Sequence, residues 1–277
     1  MHFAKGHGTG NDFVLLPDPD ARLQLEADFV ARLCDRRTGI GGDGVLRVVR
    51  AAALQMLEPA LAEMSGGAEY FMDYRNADGS VAEMCGNGVR VFARYLVRCG
   101  WAPPGRVEIG TRTGMRVADT PQSGDVVVDM GPPVTDLGGP LKVTAAGRTY
   151  LGVPVSMGNP HVVCEVSDLA ELGDLWDVPE VDSDRFADGV NVEFVQRLGS
   201  NSIAMRVHER GVGETQSCGT GACAAAVAML PGAGGPPCMV SVPGGQLSVR
   251  WTQQTVYLGG PAVIVAEGAL TQEWASR

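Results

Sequence analysis

The 277-residue chain is short of aromatics, at 6%, and of charge, at 19%. It has no run of 18 apolar residues, so no transmembrane helix is expected. Its start, MHFAKGHGTGNDF, lacks the apolar stretch of a secretory signal. Neither CxxC nor HxxxH occurs, and structural zinc sites favour such pairs, so no metal is expected. There is no GxxxxGK[ST] phosphate loop, and glycine runs such as GTGND and GIGGDG are weak signals alone. Basic residues number 22 against 32 acidic ones, a net charge of −10. That balance argues against nucleic acid and anionic membranes as partners. Seven cysteines are an odd number that fits no small disulfide scaffold. A reduced, cytoplasmic setting is therefore expected.

Apolar residues, at 45%, are sufficient for a core, and the length suits one large domain or two small ones. The 38 glycines and 17 prolines imply many tight turns. Short alternating or apolar runs read as strands at 13–16, 45–49, 107–109, 115–118, 126–130, 153–156, 161–166, 191–195, 203–207, 239–242, 246–251 and 262–266. Helical spacing is rarer. It occurs at 27–34, and segments 88–98 and 221–230 are apolar on nearly all sides, as buried helices are. Segment 51–64 also reads as a helix, with the SGG after it marking an insertion. Many strands and few helices imply an α+β fold.

The chain repeats itself. MCGNGVRVFARYL (84–96) and SCGTGACAAAVAML (217–230) share Cys-Gly-x-Gly before a buried helix. Nine residues before each cysteine lies a polar group in a Gly-containing turn, Asn76 and Glu209. TGMRVA (113–118) matches GGQLSV (244–249), GNDFV (10–14) matches GNPHVV (158–163), and DGVL (43–46) matches DGVN (188–191). Two similar halves are expected, 1–130 and 131–260, with 261–277 returning to the first. Such copies commonly pack about a pseudo-two-fold axis with matching loops facing.

Cys85 and Cys218 then stand at helix N-termini, where backbone N–H groups lack intrahelical partners and the macrodipole is positive. Both effects favour a thiolate and lower a cysteine pKa. The neighbouring glycines let a carboxylate approach the amides. Two mirrored thiols can take a proton from one face of a carbon and return it to the other, inverting a stereocentre. Cys34, Cys99, Cys164, Cys223 and Cys238 read as small core hydrophobes.

At these residues the chain resembles diaminopimelate epimerases. KGHGTGNDFV, the NADGS turn, MCGNGVR, MGNPH, VNVEF and RVHERGVGETQSCGTGACAAAVA follow that family's motifs in order along nearly the whole chain. The resemblance implies two barrel-like α+β halves, each a curved sheet around a central helix, with the active site in the cleft between them. It implies epimerisation of LL-2,6-diaminopimelate to meso-diaminopimelate without pyridoxal phosphate, metal or other cofactor, in lysine and peptidoglycan biosynthesis, by a cytoplasmic homodimer. Cys85 and Cys218 match the acid/base pair. Gly86, Asn87, Gly219 and Thr220 match the carboxylate nest at the reacting end, near which Asn11 also falls. Asn76, Asn159, Asn191, Glu209 and Arg210 match the group that holds the distal end. His161 matches a histidine near the reacting amine. Many members have glutamine where this chain has Gly44, so one amide is missing.

Other readings stand beside these. Asn11 and Asn76 suit turns, His161 suits a local backbone bond, and Glu209 suits a pairing with Arg210. Lys5, His7, Arg36 and Arg37 match no motif and are expected on the solvated surface. Proline and hydroxyproline racemases share the doubled CGxG, but typically have histidine at the place of Asn87 and lack ERGVGE. Phenazine-type isomerases lack the cysteine pair. A thiol redox protein would not need the positioned amides and guanidinium, and a non-catalytic diamino-acid binder would not need both sulfurs.

Overall fold

The computed structural model describes residues 1–181, 184–230 and 232–275. The chain divides into two compact units, Met1–Val128 with Pro261–Arg277, and Asp129–Gly260. The first unit runs β1 (His2–Gly8), β2 (Asn11–Pro17), α1 (Ala27–Cys34), β3 (Gly44–Arg50), α2 (Ala51–Leu57), α3 (Pro59–Met64), β4 (Tyr70–Asn76), α4 (Gly86–Arg98), β5 (Gly105–Thr111) and β6 (Gly114–Thr120). β7 (Val126–Asp129) spans the boundary. The second runs β8 (Leu141–Ala145), β9 (Arg148–Ser156), β10 (Pro160–Val166), β11 (Glu180–Val181), β12 (Asn191–Gly199), β13 (Ser202–Glu209), β14 (Gly213–Thr215), α5 (Gly219–Met229), β15 (Cys238–Val242), β16 (Gly245–Trp251) and β17 (Val256–Gly260). β18 (Val263–Ala269) and α6 (Gln272–Ala275) then join the first unit.

Strand pairing has the same order in both units. In the first, β18–β1 and β1–β2 are antiparallel, β2–β3 parallel, β3–β4 antiparallel, β4–β5 parallel and β5–β6 antiparallel. In the second, β8–β9 and β9–β10 are antiparallel, β10–β12 parallel, β12–β13 antiparallel, β13–β15 parallel and β15–β16 antiparallel. The place of β8, which directly precedes β9, is taken in the first unit by β18 from the far end of the chain.

Each sheet curves around one helix. α4 touches β1, β2, β3, β5, β6 and β18, and α5 touches β9, β10, β12, β13, β15, β16 and β17. A flat sheet could not reach one helix from so many strands. All residues of α4 from Gly86 to Val97 are buried. The two arginines of this buried stretch are tolerated there because each finds acceptors: Arg90 donates to Thr9 Oγ1 at 3.1 Å, and Arg94 to the carbonyls of Pro121 and Gly124. α5 is alanine-rich (GTGACAAAVAM), so the strands around it approach closely. The opposite sheet faces carry separate cores, among them Val14, Leu16, Val30, Leu33 and Val45 in the first unit and Leu141, Val143, Val162, Val192 and Phe194 in the second.

Three sequence expectations change. Segment 51–64 is two helices, not one, because Pro59 lacks an N–H and forces Glu58 out of helical geometry, to φ −139° and ψ 73°. β4 escapes the strand pattern because YFMDYRN carries charges inward: Asp73, 2% exposed, bridges Arg47, Arg75 and Arg112 at 3.5, 3.0 and 2.7 Å. The match of DGVL to DGVN is displaced by two residues. Phe13 pairs with Gly44 and His161 with Asn191, so Gly44, not Leu46, is the counterpart of Asn191.

Candidate active-site residues of the two units

In the first unit Cys85 is the N-cap of α4, in extended backbone geometry, and its Sγ accepts from Gly88 N at 3.4 Å. Val89 N returns to Cys85 O, so Gly86 and Asn87 hold the first-turn amides. The half-buried thiol donates to Asn11 Oδ1 at 3.5 Å, and fully buried Asn87 donates to the same oxygen at 3.3 Å. Asn11 opens β2 just after Thr9 and Gly10, whose φ values of 53° and 80° turn the chain sharply. Its amide is held from behind, since Asn11 Nδ2 donates to Asp43 Oδ2 at 2.7 Å.

Asp43 belongs to a charge cluster that sequence reasoning missed. The Arg36 fork grips Asp12 at 3.0 and 2.6 Å and reaches Asp43 at 2.8 Å. Lys5 Nζ lies 2.5 Å from Asp12 Oδ2 and also bonds Gly41 O. Lys5, only 19% exposed, is therefore not a solvated surface lysine, and Arg36 is tied down although half of it meets water. Burial raises the Asp12 carboxyl, but Arg36 and Lys5 outweigh it and hold the group well below the usual carboxylate range. His7 accepts from Gly10 N at 3.4 Å, a turn contact.

Asn76, at the end of β4, makes the turn expected of its type: its Nδ2 donates to Ser80 Oγ at 2.9 Å. Gly44 lies opposite it in the β3–β4 ladder. A Cβ there would stand 2.4 Å from Arg75 O, so the backbone as folded here has no room for a side chain.

In the second unit Cys218 caps α5 in the same way, accepting from Gly221 N at 3.3 Å, with Thr220 Oγ1 at 3.5 Å. Ala222 N returns to Cys218 O, so Gly219 and Thr220 hold the first-turn amides. The pKa expectation reverses here. Burial pushes the Cys218 thiol well above its ordinary value, and Glu209 and Glu193 push it further, against the weaker pull of Thr220 and the Gly221 amide. Burial and the two carboxylates outweigh the helix terminus at this sulfur. Glu209 is itself raised by burial and by Glu193, with the Thr215 hydroxyl, His161 and the Cys218 thiol opposing.

His161 makes no local backbone bond. Its Nδ1 is 2.7 Å from Glu193 Oε1 and its Nε2 3.0 Å from Asn159 Oδ1, while Asn159 Nδ2 donates to Thr220 Oγ1 at 3.4 Å. Asn191 ties Pro160 O at 3.3 Å and accepts from Arg210 N at 2.9 Å. The exposed Arg210 guanidinium donates to Asp188 O at 3.2 Å and makes no ion pair with Glu209, whose carboxylate accepts from Thr215 instead. Glu193 went unremarked in the sequence. Its one signal is a carboxylate inside the apolar strand NVEFV. Among the described residues no cluster of metal-ligating side chains occurs, and no helix is long and apolar enough to cross a membrane.

A profile of the diaminopimelate epimerase family matches residues 3–135 and 153–265. The chain is 50% identical to the diaminopimelate epimerase of Streptomyces coelicolor, over 98% of this chain and 96% of that one. It belongs to the diaminopimelate epimerase family. It is an isomerase. The Thermobifida fusca diaminopimelate epimerase is likewise 50% identical, over 97% of both chains, and that of Mycobacterium avium 48%, over 99% and 98%. The fold is wider than the family. A hydroxyproline epimerase from Agrobacterium vitis superposes with a TM-score of 0.68 at 15% identity, over 100% of this chain and 97% of that one. A Bacillus anthracis phenazine biosynthesis protein superposes at 0.65 and 14%, over 98% and 99%. At such identities the likeness shows the architecture alone.

Proposed function

We propose that this chain interconverts LL- and meso-2,6-diaminopimelate, without a cofactor, by two-base chemistry at Cys85 and Cys218. The observation that carries the reading is the doubled cap: in each unit a cysteine sulfur stands at the N-terminus of a buried helix with a Gly-x-Gly first turn. The first-turn amides of Gly86 and Asn87, and of Gly219 and Thr220, suit the α-carboxylate. One sulfur removes the α-proton as thiolate while the other delivers a proton as thiol, and the roles exchange in the reverse direction. The raised Cys218 thiol suits the donor state before turnover.

The distal amino-acid group has its own ligands. Arg210, exposed and, among the described residues, held at its guanidinium by the Asp188 carbonyl, offers its fork to a carboxylate. Asn76, Asn159, Asn191 and Glu209 supply acceptors for the distal ammonium. We read the two units as copies of one ancestral half, split near residue 130, with 261–277 belonging to the first. A cytoplasmic homodimer serving lysine and peptidoglycan synthesis follows from the family; light scattering giving 29.0 kDa at working concentration would refute the dimer.

The test follows substrate in deuterated water. Wild-type enzyme, dialysed against chelator, should exchange the α-proton and epimerise both isomers. Cys85→Ser and Cys218→Ser should each lose epimerisation, since a serine hydroxyl is far too weak an acid for the relay. Activity that disappears on dialysis and returns with metal or pyridoxal phosphate, or a serine variant that still epimerises, would overturn the reading.

A further inference from the structure

The shared strand register lets residues around the two capping cysteines be matched one to one. Phe13 pairs with Gly44 in the first unit and His161 with Asn191 in the second. Two residues further along the partner strands, Leu46 and Glu193 hold the same place. Phe13 and Leu46 lie against the third residue of one cysteine-capped helix, and Glu193 lies against the third residue of the other. A Cβ on Gly88 would meet Leu46 Cδ2 at 3.4 Å and Phe13 Cζ at 3.6 Å, while one on Gly221 would meet Glu193 Oε1 at 2.6 Å. The same architecture is thus filled by an apolar pair in one unit and by histidine and glutamate in the other.

That contrast is an internal control. A buried ion pair is a poor stabiliser, and well-packed hydrophobes of similar volume commonly serve as well or better. The first unit shows this position filled by hydrophobes in the same fold. The polar pair of the second unit is fully buried, and Glu193 Oε2 has no hydrogen-bond partner among the described residues. Its presence needs a reason other than packing. The contacts supply one: Glu193 Oε1 to His161 Nδ1 at 2.7 Å, His161 Nε2 to Asn159 Oδ1 at 3.0 Å, Asn159 Nδ2 to Thr220 Oγ1 at 3.4 Å, and Thr220 Oγ1 to Cys218 Sγ at 3.5 Å. The matched asparagine of the first unit, Asn11, meets Cys85 directly and is anchored from outside by Asp43.

We propose that Glu193 is a positioning residue of the second half-site, fixing His161 and through it the Asn159 and Thr220 side chains that flank Cys218. It makes the two sulfurs chemically unlike, although the fold around them is duplicated. The proposal rests on the epimerase reading above.

Two variants test it. His161→Phe/Glu193→Leu installs the first unit's pair in the second, and Glu193→Gln keeps a hydrogen-bonding oxygen for the ring while removing the charge. The double variant should melt within about 4 °C of wild type yet lose at least roughly tenfold in kcat, with KM changed less than kcat, because the relay ends at the reacting sulfur. Glu193→Gln should lie between it and wild type. A purely structural pair would lower the melting temperature and leave the kcat of folded enzyme unchanged. A double variant that does not fold, or either variant with wild-type kcat and KM, overturns the proposal. Failure of the epimerase reading is seen separately, in wild type and the cysteine variants.

Discussion

Asp43→Ala should uncouple Asn11 from its anchor without unfolding the protein. Asp43 Oδ2 accepts from Asn11 Nδ2 at 2.7 Å and from Asp12 N at 3.1 Å, and Asn11 Oδ1 is the acceptor for both Cys85 and Asn87. A hydrogen bond to a charged group contributes about 1.5–3 kcal/mol. Asp43 is 43% exposed, so the lower end, about 1.5 kcal/mol, is the figure to use. Spread over the orientations Asn11 then samples, that is roughly a tenfold fall in kcat/KM. The stability loss is at least as large. The Arg36–Asp43 pair is half in water and adds about 0–1 kcal/mol, while Arg36 keeps its two bonds to Asp12. A melting temperature lower by about 3–10 °C is expected. The assay pairs steady-state kinetics in both directions with a thermal melt of the same sample. A folded Asp43→Ala enzyme within twofold of wild-type kcat/KM would falsify the claim that this cluster holds Asn11 in working position.

Alanine should be tolerated at Gly88, where a Cβ meets only 3.4 Å contacts, and be harmful at Gly221, where it presses Glu193 Oε1 at 2.6 Å. Kinetics and melts of the two single variants should differ by about 1–3 kcal/mol of overpacking at Gly221 alone. Cys218 should alkylate more slowly than an exposed thiol at pH 8, and faster after Glu209→Gln removes a neighbouring carboxylate; peptide mapping reads both rates. Because its folded pKa is raised, Cys218 contributes stability that is present below the ordinary thiol value and is lost as pH climbs beyond it, so wild type should lose more stability than Cys218→Ser as pH rises past about 8.5. Asp12 runs the other way. Its pKa is depressed, so the stability it contributes is present above about pH 4 and is lost as pH falls further. Melting curves of wild type and Asp12→Asn should therefore converge in acid; a constant gap down to pH 2 would contradict the Asp12–Arg36–Lys5 pairing.

What the sequence settled alone is local. A helix that begins with Cys-Gly-x-Gly declares its N-terminus within one turn, and both helices start at the residue after the cysteine. The strands 13–16, 161–166 and 203–207 were legible because burial of one or both faces leaves its period in consecutive residues. The helical spacing at 27–34 matches α1 to the residue for the same reason. The order of motifs shared by the two halves was visible, though loop differences hid the true match of Gly44 to Asn191.

Partners far apart in the chain were decided only by the tertiary structure. β18 reaches β1 from the opposite end of the sequence. Asp12 and Arg36 stand 24 positions apart, and His161 and Glu193 stand 32 apart, with nothing in either segment to name the other. The state of Cys218 belongs to this class. A helix terminus is a local feature and argues for a thiolate, but burial and two carboxylates brought from β12 and β13 reverse the sign. Desolvation and charge pairing depend on what the folded chain places within a few ångströms, and residue spacing along one strand or helix does not contain that information.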